Sequence, residues 1–206
     1  MRTKIDYYFS AISPWAYLGH CEFLTIAAKY NAPVHFRPLN LGGVFKNSGG
    51  LPLNERHKKR QDYRFVELQR WRLKRGIPLN LQPAHFPTSP ELADLCAVAL
   101  QEQHGSVAEF MYYVFRSIWV NELDIAQEDV LSDVLETIGE VPEEILSIAK
   151  SDRIKEIYRQ NGELALEQGV IGSPCYVLKG EVFWGQDRLE FLEEALQVDR
   201  EGITPI

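Results

Sequence analysis

The chain has 206 residues, of which 45% are hydrophobic, and its formal net charge is −7 at pH 7. This length and apolar content predict one folded domain, or one domain carrying a large insertion, and argue against disorder. The negative charge argues against nucleic acid or an anionic membrane as the main partner. We find no transmembrane stretch and no signal peptide, so we expect a cytoplasmic protein.

The three cysteines, Cys21, Cys96 and Cys175, are widely separated along the chain. Their number and spacing predict neither a disulfide framework nor a zinc site, and we expect no bound metal. Cys21 and Cys96 fall on the apolar faces of predicted helices. Cys175 follows a proline, and we interpret it as a small strand residue, with a place near the site as the alternative.

The first part of the chain reads as a β-α-β unit. Strand patterns cover 4–9 and 34–37, and apolar residues recur at helical spacing over 14–30. Such a unit implies parallel strands and a right-handed crossover. The glycine-rich stretch 39–52 that follows is predicted to be a long loop, mobile or functional.

Helical patterns then fill the middle of the chain, and strands return near its end. A hairpin pattern over 175–178 and 182–184 precedes a last helix over 188–197. This order predicts an α/β, thioredoxin-like sheet (1–50 and 165–206) with an all-helical insertion domain (51–164). The five predicted helices of the insertion cover 54–76, 89–105, 106–118, 128–138 and 142–168, the last one broken near Ser151.

Ser13 and Pro14 mark the junction between the first strand and the first helix. Proline suits the first helical position, which places Ser13 at the N-cap beside free backbone N–H groups and the positive end of the helix dipole. Such a position stabilises an anion, and a bound thiolate is one candidate. Simple helix capping also explains both residues.

A second motif, Gly172-Ser173-Pro174, lies far along the chain. Together with Ser13-Pro14-Trp15-Ala16 it resembles the DsbA-like branch of the thioredoxin fold, in which a Cys-x-x-Cys faces a cis-proline. Ser13 and Ala16 replace both cysteines here. Because dithiol exchange needs an attacking and a resolving thiol, disulfide oxidoreductase activity is not expected.

The closer resemblance is to 2-hydroxychromene-2-carboxylate isomerases and kappa-class glutathione transferases, and it covers the chain almost end to end. Each motif alone is weak, but the ordered set at matching spacing is specific. The motifs are Tyr8-Phe9-Ser10-x-x-Ser13-Pro14-Trp15-x-Tyr17-Leu18, Asp62-Tyr63-x-x-x-Glu67-Leu68-Gln69-Arg70-Trp71, Gly76-Ile77-Pro78, Gly169-Val170-x-Gly172-Ser173-Pro174 and Phe183-Trp184-Gly185-Gln186-Asp187-Arg188-Leu189.

The resemblance implies that glutathione binds as a cofactor and that Ser13 is the catalytic residue, donating a hydrogen bond that favours the thiolate over the thiol. It also implies the reaction: the thiolate adds to an unsaturated oxygen heterocycle, the ring opens, and rotation and elimination give the isomer. The substrate would be a small aromatic carboxylate. A homodimer is a further expectation from the family.

The resemblance implies a cis peptide before Pro174, which would leave the backbone N–H and C=O of Ser173 free to pair with glutathione. A trans proline opening an edge strand is the alternative.

Gln186 and Asp187 lie at the start of the last helix, where the resemblance implies that they hold the γ-glutamyl end of glutathione. Trp184 and Gly185 flank them, although Trp184 is equally suited to the core. Asp187 also has capping-box spacing to Glu190, so capping is an alternative role.

The resemblance further implies that Lys46 and Asn54 contact glutathione or substrate, and that His85 or Phe86 contacts the aromatic substrate. An ordinary solvated lysine is the alternative for Lys46. Glu55 departs from the related isomerases, which often carry a basic residue there.

Two other functions remain open on the sequence. A kappa-like glutathione transferase would consume glutathione, and a non-catalytic DsbA-like binding protein would bind peptides. The basic run over 56–75 is typical of a solvated helix face, and some of its charges would attract an anionic substrate.

Overall fold

The structure is a computed structural model that describes residues 4–205. Its sheet has four strands in the order β2-β1-β3-β4. β1 runs parallel to β2 and antiparallel to β3, which pairs with β4 as a hairpin. The strands are β1 (Ile5–Phe9), β2 (Val34–Pro38), β3 (Cys175–Leu178) and β4 (Glu181–Trp184).

Helices follow β1 and β2, fill the middle of the described chain and close it after β4, so the predicted thioredoxin-like α/β fold is confirmed. The break predicted near Ser151 is also present, because the Ser151 hydroxyl caps a new helix there. The helices are α1 (Pro14–Lys29), α2 (Leu41–Ser48), α3 (Lys58–Arg75), α4 (Glu91–Glu102), α5 (Val107–Trp119), α6 (Glu128–Thr137), α7 (Pro142–Ala149), α8 (Asp152–Glu167) and α9 (Leu189–Val198), with short 3-10 helices at Leu53–Glu55 and Gln186–Arg188.

The prediction of a long loop over 39–52 is wrong, since most of this stretch forms α2. The side chain of Asn40 accepts the Gly43 N–H at 3.2 Å and caps the helix. Gly49 ends it in the left-handed conformation, with φ of 75°. The low helix propensity of glycine is overridden here by these caps and by the burial of Val44.

Both faces of the sheet are buried. Tyr7 and Phe9 of β1 point into the larger apolar cluster, where the Tyr7 ring stacks on Tyr176 with 5.2 Å between centroids. Tyr8 points the other way, into a smaller cluster with Cys175 and Val44. Because successive strand residues face opposite sides, β1 carries core residues on both.

The predicted burial of Cys21 on α1 is wrong, because this side chain is exposed. The buried residues of the second half of α1 are Phe23, Ile26 and Ala27. The first half, from Ala16 to His20, is buried on all sides, so the apolar spacing there does not single out one face of the helix.

α4 and α8 pack against β2, and α3 and α5 pack against α1. The segment predicted as an insertion therefore packs on the strand β2 and on α1, and its boundaries at 51 and 164 stay a prediction. Of the helices within residues 4–205, none has the length and apolar character needed to cross a membrane.

Candidate active-site cleft at the head of α1

Ser13 lies at the N-cap of α1, as predicted. Its Oγ accepts the Ala16 N–H at 3.2 Å and donates to the carbonyl oxygen of Ser173, also at 3.2 Å. Only 3% of Ser13 is exposed. The hydroxyl group thus links the first turn of α1 to the residue that precedes Pro174, and its hydrogen points at the carbonyl of that residue.

The first turn of α1 also keeps one backbone donor available. The N–H groups of Ser13 and Tyr17 donate to the carbonyl oxygens of Ser10 and Ser13, at 3.0 and 3.1 Å. Pro14 has no N–H. We find no acceptor for the Trp15 N–H within residues 4–205, so this group and the helix dipole favour an anion at this end of α1.

The Ser173–Pro174 peptide is cis, as predicted. Ser173 is held on two sides, because its Oγ accepts the Ser10 N–H at 3.1 Å and its carbonyl accepts the Ser13 hydroxyl. The prediction that this carbonyl is left free is therefore wrong. The Ser173 N–H has no acceptor in the described part of the chain.

A cavity of about 300 Å³ opens beside these groups. Five predicted site residues line it: Ser173, Trp184, Gly185, Gln186 and Asp187. Trp184 is 53% exposed, so it forms a wall of the cleft and does not belong to the core. The remaining lining residues are Trp15, Glu67, Trp71 and Arg188.

Gln186 is buried and held by Arg75 of α3. The Arg75 guanidinium donates to the Gln186 side-chain oxygen at 3.1 Å and to its carbonyl oxygen at 3.2 Å. Arg75 also pairs with Glu22 of α1 at 3.2 Å. A Cβ added at Gly19 would lie 2.5 Å from the Gln186 Cβ, so a glycine is needed where α1 approaches this residue.

Asp187 pairs with Arg188 at 3.0 Å on the surface of the cleft. Its predicted capping-box role with Glu190 is wrong, because the start of α9 has no side-chain cap. Gly185 has φ of 108°, and a Cβ there would lie 2.3 Å from a carboxylate oxygen of Asp187. Glycine at this position therefore lets the carboxylate reach the cleft.

The predicted substrate contacts lie outside this cavity. Lys46 on α2 is exposed, as are Asn54 and His85. Phe86 is half-buried, with its ring centroid 5.0 Å from that of Trp119. Their roles stay predictions.

Sequence reasoning assigned no role to Trp15, Glu67, Trp71, Arg75 or Arg188. A signal was available for four of them, since Trp15, Glu67, Trp71 and Arg188 stand in the quoted motifs. Glu67 and Trp71 are also four residues apart and so share a face of α3. The role of Arg75 depends on a contact across 111 residues, which no local pattern indicates.

A buried carboxyl group supports the turn before Ser13. The hydroxyls of Ser10 and Tyr158 donate to one oxygen of Asp94, each at 3.1 Å. Asp94 is fully buried, and this burial raises its pKa to about 8. The carboxyl group thus joins α4 and α8 to the loop that precedes the N-cap.

No cysteine lines the cleft. Cys175 is buried on the opposite face of the sheet, and burial raises its pKa to about 12. The prediction that it is a small strand residue is confirmed. A thiolate at the head of α1 would therefore have to come from a ligand.

The model of the DsbA-like thioredoxin domain matches residues 4–197. The chain belongs to the DsbA-like thioredoxin family. Among curated members, it is 28% identical to a 2-hydroxychromene-2-carboxylate isomerase of Sphingobium xenophagum, over 95% of this chain and 99% of that protein. It is 25% identical to glutathione S-transferase kappa 1 of Caenorhabditis elegans, over 94% of this chain and 91% of that protein.

A solved structure of a 2-hydroxychromene-2-carboxylate isomerase superposes with a TM-score of 0.81 at 27% identity, covering 94% of each chain. These family members are isomerases and glutathione transferases, and the predicted family resemblance is confirmed.

Proposed function

We propose that the chain is a glutathione-dependent isomerase of the 2-hydroxychromene-2-carboxylate type, in which Ser13 stabilises the glutathione thiolate. The observation that carries the proposal is the position of the Ser13 hydroxyl. It caps α1 and lies 3.2 Å from the carbonyl of Ser173, and Ser173, unlike Ser13 itself, lines the cleft, whose lining has no cysteine.

The residues of the cleft fit a tripeptide with one ammonium and two carboxylate groups. The free N–H of Ser173 offers a backbone donor for an added strand. Glu67 and Asp187 supply negative charge and Arg188 supplies positive charge on the same lining. A Cβ at Gly172 would lie 2.4 Å from the Trp184 side chain, so the absence of one lets this wall close against the cis peptide.

In this proposal Ser173 and Pro174 hold the cysteinyl part of glutathione, and Gln186 and Asp187 hold its γ-glutamyl end. Trp184 and Gly185 flank that end. When bound, glutathione supplies a thiol whose anion adds reversibly to an unsaturated carbon. Arg75 of α3 holds Gln186 in place by hydrogen bonds, which keeps this part of the cleft ordered before glutathione binds.

Ser13 acts by turning its hydroxyl hydrogen from the Ser173 carbonyl toward the sulfur. A hydrogen bond to a charged acceptor contributes about 1.5–3 kcal/mol. Since one pKa unit corresponds to about 1.4 kcal/mol, this bond lowers the thiol pKa by roughly one to two units. The Trp15 N–H and the dipole of α1 act in the same direction.

The tryptophan side chains of the cleft raise the pKa of the bound thiol by desolvation, and at the same time they strengthen its hydrogen bond to the Ser13 hydroxyl. Trp15, Trp71 and Trp184 line the cavity and present large apolar surfaces. Excluding water lowers the local dielectric constant, and the attraction between the hydroxyl and the thiolate rises accordingly.

The test of the proposal is Ser13→Ala, assayed with glutathione and 2-hydroxychromene-2-carboxylate. We expect a large fall in turnover with little change in glutathione affinity, and loss of the thiolate ultraviolet absorbance of bound glutathione. Ser132→Ala is the matched control, since the Ser132 hydroxyl bonds within its own helix, to the carbonyl of Glu128. Unchanged turnover in Ser13→Ala would reject the proposal.

A kappa-like glutathione transferase is the second candidate, supported by the Caenorhabditis elegans relative. The two reactions differ in stoichiometry. An isomerase regenerates glutathione, so glutathione should be undiminished after many turnovers. Loss of one glutathione per product would favour the transferase, and peptide binding without any glutathione binding in calorimetry would favour a non-catalytic binding protein.

The contacts of the aromatic carboxylate substrate are a further part of the proposal. We assign them to Lys46 and Asn54, and to His85 or Phe86. A cytoplasmic homodimer completes the proposal, and light scattering of the purified chain tests its oligomeric state. Single alanine substitutions at His85 and Phe86 should raise KM for the substrate alone, whereas those at Lys46 and Asn54 should weaken binding of glutathione or of the substrate.

A further inference from the structure

Two half-buried arginines, Arg56 and Arg64, have no carboxylate partner in the described chain, and the positive charge of Arg56 acts on Arg64. The Arg56 Nε donates to the Leu51 carbonyl at 2.8 Å. The Arg64 guanidinium has no hydrogen-bond acceptor at all within residues 4–205. Most other arginines of the described chain form an ion pair, for instance Arg37 with Asp6 at 2.8 Å.

Each guanidinium of the pair lies over an aromatic ring. The Arg64 carbon Cζ is 5.5 Å from the ring centroid of Phe86, and that of Arg56 is 5.6 Å from the ring centroid of Phe45. We call these four residues the arginine cluster. Phe45 belongs to α2, Arg56 to the segment before α3, Arg64 to α3 and Phe86 to the loop before α4, so each arginine–ring contact joins two separate elements of the fold.

The cluster carries uncompensated positive charge in a partly dehydrated place. Burial and the neighbouring charge of Arg56 lower the pKa of Arg64 to about 10. A buried charge is unfavourable unless it is paired, and a bound anion would supply the missing partner. The planar guanidinium matches a carboxylate with two parallel hydrogen bonds, and the Phe86 ring offers an apolar surface beside it.

The cluster lies along the same helix face as the cleft. Arg64 is three residues before Glu67 and seven before Trp71, spacings that place the three on one side of α3. Glu67 and Trp71 line the cavity. At 1.5 Å per residue, Arg64 and Trp71 are about 10 Å apart along the axis, a distance that one elongated aromatic molecule spans.

We propose that Arg64, supported by Arg56, binds the carboxylate of an aryl carboxylic acid and thereby selects anionic over neutral electrophiles at the cleft. Phe86 then packs against the aryl group. The inference deepens the proposed function and rests on the same cleft, but it assigns substrate selection to residues that are distinct from Ser13 and from the glutathione contacts.

The experiment measures binding of cinnamate and of methyl cinnamate by calorimetry, without glutathione. We expect the wild-type chain to bind the acid more tightly than the ester. Arg64→Leu should weaken cinnamate binding roughly ten- to a hundredfold, as loss of a charge-assisted pair implies, and leave the ester unchanged. Arg64→Lys should retain part of the preference, since it keeps the charge and loses the bidentate geometry.

Lys59→Leu is the matched control, because it removes one exposed positive charge from the same helix. Its effect on cinnamate binding should be less than twofold. Equal losses for the acid and the ester in Arg64→Leu, or no binding of cinnamate to the wild-type chain, would overturn the inference. Because the assay omits glutathione, its result can be interpreted even if the chain does not bind glutathione.

Discussion

The backbone N–H of Ala11 donates to a carboxylate oxygen of Asp94 at 2.8 Å, across 83 residues of sequence. The other oxygen accepts the hydroxyls of Ser10 and Tyr158. One buried carboxyl group therefore satisfies three donors and fixes the turn that leads into Ser13. The head of α1 depends on the helical part of the chain for its position.

Replacing Asp94 separates the role of this hydrogen-bond network from that of its charge. We expect Asp94→Ala to lower the free energy of unfolding by about 2–4 kcal/mol, because it leaves buried donors unpaired and a cavity behind. Asp94→Asn should be milder, since the amide oxygen accepts from Ala11 and its NH₂ group donates to the two hydroxyls. Urea unfolding measures both, and equal losses would contradict this account.

The raised pKa of Asp94 also sets a pH dependence of stability. In the folded chain the pKa is about 8, so the native state retains a proton that the unfolded chain releases above about 4. The free energy of unfolding therefore falls as the pH rises through this interval and levels off above pH 8.

Two histidines, the buried His20 and the half-buried His35, have the opposite effect at lower pH. Burial lowers the pKa of His20 and of His35 to about 4, so their unfolded forms bind protons more readily up to about pH 6.5, and stability rises with pH there. The contribution of Asp94 is isolated between about pH 6.5 and 8. Urea unfolding across that interval should show a decline in wild type and none in Asp94→Asn; a decline in both would assign it to another group.

Thiol reactivity distinguishes the three cysteines. Cys21 is exposed, whereas Cys96 and Cys175 are buried and their pKa values are raised to about 12. A thiol reagent should modify one cysteine in the folded chain and three in denaturant. Cys21→Ser should leave none reactive in the folded chain. Rapid modification of Cys175 would place it within reach of the cleft, contrary to the structure.

A cysteine introduced at the head of α1 tests the proposed glutathione site directly. In a Cys21→Ser background, Ser13→Cys should react with oxidised glutathione: the new thiolate attacks one sulfur, forms a mixed disulfide and expels a glutathione thiolate. Ala16 supplies no resolving thiol, so the adduct should persist and appear as one added glutathionyl group by mass spectrometry.

Wild-type Cys21 provides the comparison for that rate. Although Cys21 is exposed, partial loss of water around its thiol raises its pKa, whereas a thiol at a helix N-terminus has a lowered pKa. The introduced thiol should therefore react faster near neutral pH. A rate no greater than that of Cys21 would argue against an anion-stabilising site at Ser13.

Sequence patterns predicted the elements whose ends carry strong local signals. Pro14 and Gly76 mark the start of α1 and the end of α3, and the structure has both. The same reasoning missed α2 because two glycines masked a helix that Asn40 and tertiary packing stabilise. Local propensity is a weak guide where capping and burial compete with it.

In the candidate site, too, some residues could be predicted from local sequence patterns and others could not. Ser13 and Ser173 stand at element boundaries, where motif and structure coincide, and the hydrogen bond between them joins the two motifs. The supporting contacts of Asp94 and Arg75 cross 83 and 111 residues and leave no local pattern. Only the packed structure brings such groups together.

Two glycines inside helices provide the last test, because the same substitution should have opposite effects. Alanine in place of a helical glycine normally stabilises by about 0.5–1 kcal/mol. At Gly162 of α8 no atom outside the helix's own backbone lies within 4 Å of an added Cβ, so we expect Gly162→Ala to stabilise the fold.

At Gly19 the added Cβ would lie 2.5 Å from the Gln186 Cβ and 3.0 Å from the Tyr176 hydroxyl. Gly19→Ala should therefore destabilise by about 1–3 kcal/mol and weaken glutathione binding by displacing Gln186. Urea unfolding and calorimetry measure the two effects, and a Gly19→Ala chain as stable as Gly162→Ala would show that α1 does not pack this closely on the cleft.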